Sequence, residues 1–379
     1  MRTVVGKDDV VRRGHRLMHP LSEPFVFRRT GLEVKNRCVL AAMTNKQSQE
    51  DGVLSQDEIA WLKARSSGGF GIVTTAAAHV QEDGKGWNGE MGAWSDEHLP
   101  GLTQLARELR QDGSVGLVQL FHGGMRAPES LTGKQPVSAS INVLGAGLGE
   151  SRAMEKQEIL DTVQAFGKAA QRCETAGFHG VELHGAHGYL IAQFLGKGTN
   201  RRDDRWGGDG ARRQAFMSAI VEAVRQRTSP TFLVGIRLSP ELSSCGIELE
   251  DALETLDLCL ELDLDFIHVS CWDFTKQASY GGIEQPYTAW FSKRINGKLP
   301  LISTGGVWNA QEAKLLCEQG ADLVGVARAG IAHPDWPTYL ENGENTPKRP
   351  PFSADELEKA ALSPVFVEYM RRWDGFVEP

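Results

Sequence analysis

The chain lacks the features that would place it in a membrane, on nucleic acid or in a disulfide framework. No segment approaches the roughly 18 consecutive apolar residues of a membrane span. No Lys/Arg run exceeds two residues and the formal net charge is −8, which argues against nucleic acid or an anionic membrane surface as a partner. Cysteine is sparse, and Cys38, Cys173, Cys245, Cys259, Cys271 and Cys317 contain no C-x-x-C pair. They read as buried free thiols in a reducing cytosol, not as zinc, iron–sulfur or disulfide ligands. The first twenty residues carry Arg2, Lys7, Arg12, Arg13 and Arg16 but no apolar core, so no secretory signal is expected. The expectation is a cytoplasmic protein.

What is present is length, glycine and apolar β runs. A chain of 379 residues, 41% apolar and with 42 glycines, can bury a full-sized core and suits an α/β enzyme rich in tight turns. Near-continuous apolar runs predict eight strands: 38–42, 71–77, 116–121, 180–184, 232–238, 266–271, 301–304 and 323–327. Helical patterns fill most gaps, at 56–65, 102–110, 156–176, 212–227, 249–260 and 310–319. Eight β/α units in this length predict a (β/α)8 TIM barrel; the alternative is a doubly wound sheet, usually with fewer strands and a Gly-rich first turn. A hairpin pattern over Phe25–Val34 would plug the lower end of the barrel. Long loops are expected after strand three (123–155) and strand six (272–290), and loops of that length usually carry function. Residues 1–341 read as the barrel with an N-terminal extension. Residues 342–379 read as a Pro-rich linker and a C-terminal extension, including a helix over 354–361, that packs on the barrel or on a neighbouring subunit.

The most informative stretch is Gly180-Val-Glu-Leu-His184-Gly-Ala-His187-Gly-Tyr189. Val181 and Leu183 form the apolar face of a strand, and Glu182 and His184 point the other way. His184, His187 and Tyr189 therefore cluster at a strand's carboxyl end, where α/β folds place their chemistry. Two core histidines or a metal pair are the plainer readings. A metal-dependent barrel hydrolase or lyase would need a further ligand, for which Asp203 and Asp204 are candidates deep in the following loop. Other strand ends add Met43 and Thr44, Ala77, Gln119, Arg237, then Gly305-Gly306 and Ala327-Arg328. Small residues after strands seven and eight leave backbone N–H groups free to hold a phosphate, with Arg328 adding charge. A hydroxyl, an amide and a cation at Thr44, Gln119 and Arg237 suit an isoalloxazine ring. Arg237 could equally form a buried ion pair with Glu182. The glycines of Gly145-Ala-Gly147-Leu-Gly149 fail the dinucleotide-binding spacing.

These motifs, with Lys35-Asn-Arg37, Gln119-Leu-Phe-His122-Gly-Gly and Asn200-x-Arg202-x-Asp204-x-Trp206-Gly-Gly208, resemble the old yellow enzyme family of FMN-dependent ene-reductases over roughly residues 24–340. The resemblance implies that Met43, Thr44, Ala77, Gln119 and Arg237 hold the flavin ring. It implies that Gly305, Gly306, Ala327 and Arg328 bind the FMN phosphate. His184 and His187 would hydrogen-bond the oxygen of an α,β-unsaturated carbonyl or nitro substrate, and Tyr189 would donate the proton. NADH or NADPH would be the hydride donor and a small molecule the substrate, with no metal. A flavin-binding redox sensor would not require an acid over the ring. Thr44 stands where the most similar bacterial branch often has Cys, and Lys46 stands where a Tyr lines the substrate pocket. The segment Tyr369-Met-Arg371-Arg-Trp373 resembles that branch's C-terminal Arg–Trp element. The match would carry Arg371 into a neighbouring subunit's site and implies a homo-oligomer, a dimer or tetramer.

Overall fold

The computed structural model describes residues 19–145, 149–340 and 346–379. Eight parallel strands close into a barrel: β1 (Cys38–Leu40), β2 (Ile72–His79), β3 (Val115–Phe121), β4 (Gly180–Gly185), β5 (Leu233–Leu238), β6 (Phe266–Ser270), β7 (Leu301–Thr304) and β8 (Leu323–Val326). They follow one another around the ring in chain order, and β8 pairs back onto β1 through Val324↔Cys38. Every residue of β2, β3, β4 and β5 is buried, as expected for parallel strands with helices outside and packed side chains within. The expected (β/α)8 barrel is the observed fold.

Side-chain alternation sorts the strands into two layers. Val181 and Leu183 face the helices and join the large core between strands and helix ring. Glu182 points inward, where its carboxylate accepts from Gln119 on β3 and meets His268 on β6. The helices begin where local signals direct. Ser55 caps Gln56–Ser67 by accepting from Glu58 N–H, and Glu155 with Glu158 forms a capping box at the start of Lys156–Ala176. That last helix ends at Gly177 in the left-handed conformation, φ +98°.

The N-terminal hairpin pairs Phe25–Phe27 with Leu32–Val34. Phe27 and Val34 are fully buried among Val39, Ile72, Val115, Leu233 and Phe266, which start the barrel strands. The hairpin is a stopper for the amino-terminal mouth, and the carboxyl-terminal mouth stays open for a site.

Two long connections depart from expectation. The segment after β6 is not a loop throughout: Gln277–Tyr280 pairs with Ile283–Pro286, and the helix Tyr287–Ile295 follows. The hairpin turn is Gly281-Gly282, both at positive φ, while its strands are largely exposed and carry no apolar alternation. The segment after β3 contains a short helix, Glu129–Thr132, and a two-residue strand pair, Val137–Ser138 with Arg152–Ala153. The middle of the Gly145–Gly149 motif, and the expected domain boundary at 341/342, lie outside the described residues.

The described part of the C-terminal extension packs on its own barrel. Phe366 meets Trp61 edge-on at 5.3 Å, and the buried Arg65 guanidinium donates to Ala360 O at 2.7 Å. Its helices are Ala354–Lys359 and Pro364–Met370. Among the described residues, no helix is long and apolar enough to cross a membrane.

Candidate active site

A cavity of about 510 Å³ opens at the carboxyl ends of the strands. Barrel closure brings to its wall Met43 and Thr44 after β1, Ala77 on β2, Gln119 on β3, His184 on β4 and Arg237 on β5. Gly305 and Gly306 follow β7, Ala327 and Arg328 follow β8, and His187 and Tyr189 complete the wall. These are twelve of the fourteen residues singled out from sequence.

His184 and His187 form a defined pair. The His184 Nδ1 accepts from Ala186 N–H at 3.3 Å, so a neutral ring carries its hydrogen on Nε2 and donates to His187 Nδ1, also at 3.3 Å. His187 in turn donates through Nε2 to the Ser270 hydroxyl at 2.8 Å. Both rings are held neutral: burial pushes each pKa well below the usual histidine value, and Arg237 nearby adds to the effect. His187 adopts φ +58°, with its N–H donating to the Ser239 hydroxyl at 3.1 Å.

Tyr189 immediately precedes the short helix Leu190–Leu195 and packs edge-on against His184 and Phe121, with ring centroids 4.8 and 4.9 Å away. Burial raises the Tyr189 phenol above its ordinary pKa, opposed by the positive charge of Arg126. The phenol is therefore protonated at neutral pH.

Arg237 sits in the same barrel row as His184 and His268, through the pairings His184↔Arg237 and His268↔Arg237. The ion pair with Glu182 expected as one reading is not formed. Glu182 instead accepts from Gln119 Nε2 at 2.6 Å and from His268 Nδ1 at 2.7 Å, while Arg237 donates to Ala42 O at 3.1 Å. His268 reaches the carboxylate because it projects inward from β6, a neighbour that local sequence around Glu182 does not reveal. Burial works against the charge on Glu182, but His268, Arg237 and Gln119 outweigh it and leave the carboxyl below its ordinary pKa. Burial also lowers His268 in spite of the carboxylate, so the pair is a carboxylate and a neutral imidazole donor.

The walls suit a flavin. The buried Arg237 Nε has no hydrogen-bond partner among the described residues, which leaves a donor at the base of the cavity. Gly305 admits no side chain, because a Cβ there would meet Phe274 N at 2.8 Å, and Gly306 takes φ +82°. The small residues thus keep backbone, not side chains, along that edge.

Lys46 and Arg371 are the exceptions. Lys46 faces an adjoining groove with Pro364, Glu368 and Arg372, its ammonium 5.2 Å over the Tyr369 ring. The aromatic face that draws it there belongs to the tail helix. Arg371 turns back along the tail, donating to Glu378 O at 2.7 Å and pairing with Glu368 at 3.4 Å. The chain's own Tyr369, Met370 and Trp373 reach its own cavity instead. Sequence reasoning also missed Trp87 and Arg126, which line the same space from loops after β2 and β3. Neither stands in a motif that marks it. Of the candidate metal ligands, Asp204 pairs with Arg202 at 2.7 Å, and among the described residues no three His, Cys, Asp or Glu side chains converge as a metal site would need.

The sequence matches the family described as NADH:flavin oxidoreductase / NADH oxidase over residues 20–347. The chain belongs to this family. The old yellow enzymes, which its motifs resemble, are members of it. It is 36% identical over 364 residues to a probable NADH-dependent flavin oxidoreductase of Bacillus subtilis (strain 168), covering 94% of this chain and 97% of that one. It is 31% identical to an NADPH dehydrogenase of Geobacillus sp. (strain WCH70), covering 84% of this chain and 92% of that one. Among solved structures, morphinone reductase in complex with tetrahydroNAD superposes with a TM-score of 0.76 at 27% identity, over 95% of this chain and 98% of that one. The protein is an NAD(P)H-dependent flavin oxidoreductase with FMN as its cofactor.

Proposed function

We propose that this flavin oxidoreductase reduces activated C=C bonds, in α,β-unsaturated carbonyl or nitro compounds. One observation carries the reading: two neutral imidazoles 3.3 Å apart and a protonated phenol share one wall of the cavity. When bound, FMN supplies hydride, drawn from NADH or NADPH. Thr44, Ala77, Gln119 and Arg237, with Met43, would hold its ring, and Gly305, Gly306, Ala327 and Arg328 its phosphate.

The histidines act on the substrate oxygen. Each presents an Nε2–H that the chain itself now satisfies, at His187 and at Ser270. A carbonyl or nitro oxygen entering between the rings takes over those donors, which draws electron density from the β-carbon. Neutral rings suit this task because they donate without giving up a proton at neutral pH. Tyr189 then delivers its phenolic proton to the α-carbon while hydride enters at the β-carbon, and recovers a proton from solvent afterwards. Its raised pKa keeps that proton in place until the carbanion-like carbon forms.

The test is an anaerobic visible spectrum during addition of NADPH and then 2-cyclohexenone. A yellow band that bleaches and returns is the expected result. A band that bleaches but stays bleached with enone and nitroalkene alike removes C=C reduction while leaving the flavin oxidoreductase intact.

A further inference from the structure

Arg126 sits in the turn after β3, exposed on one side and facing the cavity on the other. Its guanidinium lies 4.5 Å from the centroid of the Tyr189 ring, and its Nη1 donates to the carbonyl oxygen of His187. One side chain therefore touches both halves of the proposed proton-transfer and oxygen-binding apparatus. We propose that Arg126 is a positioning residue for proton transfer: its cation stabilises the phenolate left on Tyr189, and its bond to His187 O fixes that backbone turn. The proposal rests on the reading of Tyr189 as the proton donor.

Proton delivery turns a neutral phenol into an anion in a largely apolar surrounding. Among the described residues, the aromatic and cationic groups packed on the ring are Arg126, Phe121, Trp87 and the neutral His184. Only Arg126 among these carries charge. Farther out, Glu90 and Tyr369 oppose ionisation of Tyr189, and Arg372 favours it. Before transfer the cation faces the π-cloud of a neutral ring. After transfer it faces a full negative charge, so the attraction grows along the reaction and lowers the barrier. The backbone contact matters separately. His187 holds φ +58°, a conformation uncommon for a residue with a side chain, and the Arg126 bond adds a tether on its carbonyl.

The experiment is anaerobic stopped-flow on FMN-loaded enzyme, timing reduction by NADPH and reoxidation by 2-cyclohexenone separately. Arg126→Gln should slow reoxidation on the order of tenfold, about 1.4 kcal/mol in barrier, and leave reduction within twofold. Arg126→Met is the second neutral variant and should behave alike. Arg126→Lys, which keeps the charge, should recover a large part of the loss. In a Tyr189→Phe background Arg126→Gln should cost far less, because no phenolate forms and only the tether on His187 is lost. An equal loss with and without Tyr189, or no recovery with lysine, would overturn the proposal and leave Arg126 a structural contact. Full-speed reoxidation by Arg126→Gln, with Tyr189→Phe impaired, would overturn it alone. Full-speed reoxidation by Tyr189→Phe would instead sink the proton-donor reading, and this proposal with it.

Discussion

His184 Nε2 and His187 Nδ1 are 3.3 Å apart, donor to acceptor, in a chain of bonds from Ala186 N–H to the Ser270 hydroxyl. That order requires both rings to be neutral, since a doubly protonated imidazole would leave two donors facing each other.

The pair should therefore resist protonation. In 15N-labelled protein, the ring resonances of His184 and His187 are expected to stay in their neutral form from pH 8 down to at least pH 6. Because burial lowers their folded pKa values, an unfolded chain binds protons at these positions near pH 6.5 that the folded chain excludes. They consequently subtract stability as pH falls through that value and subtract nothing above it. Titration of either ring near pH 6.5 would contradict the bond order described.

Tyr189→Phe separates the two half-reactions. Reoxidation of reduced enzyme by 2-cyclohexenone should fall by ~10²–10⁴-fold, the usual range for a lost general acid. Reduction by NADPH should be nearly unchanged, because that step needs no proton from the phenol. Equal slowing of both steps in stopped-flow traces would dismiss the assigned role.

Arg237→Lys tests the base of the cavity. Lysine keeps a cation beside Glu182 but loses the Nε that has no partner among the described residues. The Kd for FMN should rise roughly tenfold, about 1.4 kcal/mol, as measured by flavin fluorescence on rebinding to apoprotein. An unchanged Kd would mean that Arg237 does not contact the cofactor.

Phe27→Ala tests the stopper at the far end. Phe27 is 1% exposed and meets the rings of Phe25 and Phe266 at 5.2 and 6.0 Å. Its loss should cost ~3–5 kcal/mol in urea unfolding. The visible spectrum of the folded, FMN-loaded variant should stay the same, since the site is at the other mouth. A spectral change without loss of stability would reverse the assignment of the two ends.

Much of this was legible in the sequence where a feature is local. The helix Lys156–Ala176 matches its expected bounds because a capping box opens it and a glycine closes it within the same stretch. All eight strands fall where apolar runs predict them, and their ends place His184, Gln119 and Arg237 at one mouth. The hairpin at Gln277–Pro286 was not legible, since its strands are too short and exposed to show a pattern. Lys46 resembles a pocket residue by position, but its ammonium follows the Tyr369 ring, more than three hundred residues away in the chain.

By itself the sequence determined the barrel and, through the resemblance of its motifs, the family, and it singled out strand-end residues that line one cavity. The barrel and its strand ends depend on periodicity, and the motifs are short local stretches, all of which the chain states directly. The tertiary structure alone decided that Glu182 serves His268 and Gln119, that Arg126 covers Tyr189, and that Tyr369, Met370 and Trp373 wall the cavity of their own chain. Those contacts arise only when the ring closes and the tail packs, because side-chain packing between distant segments follows from shape and burial, not from any local pattern.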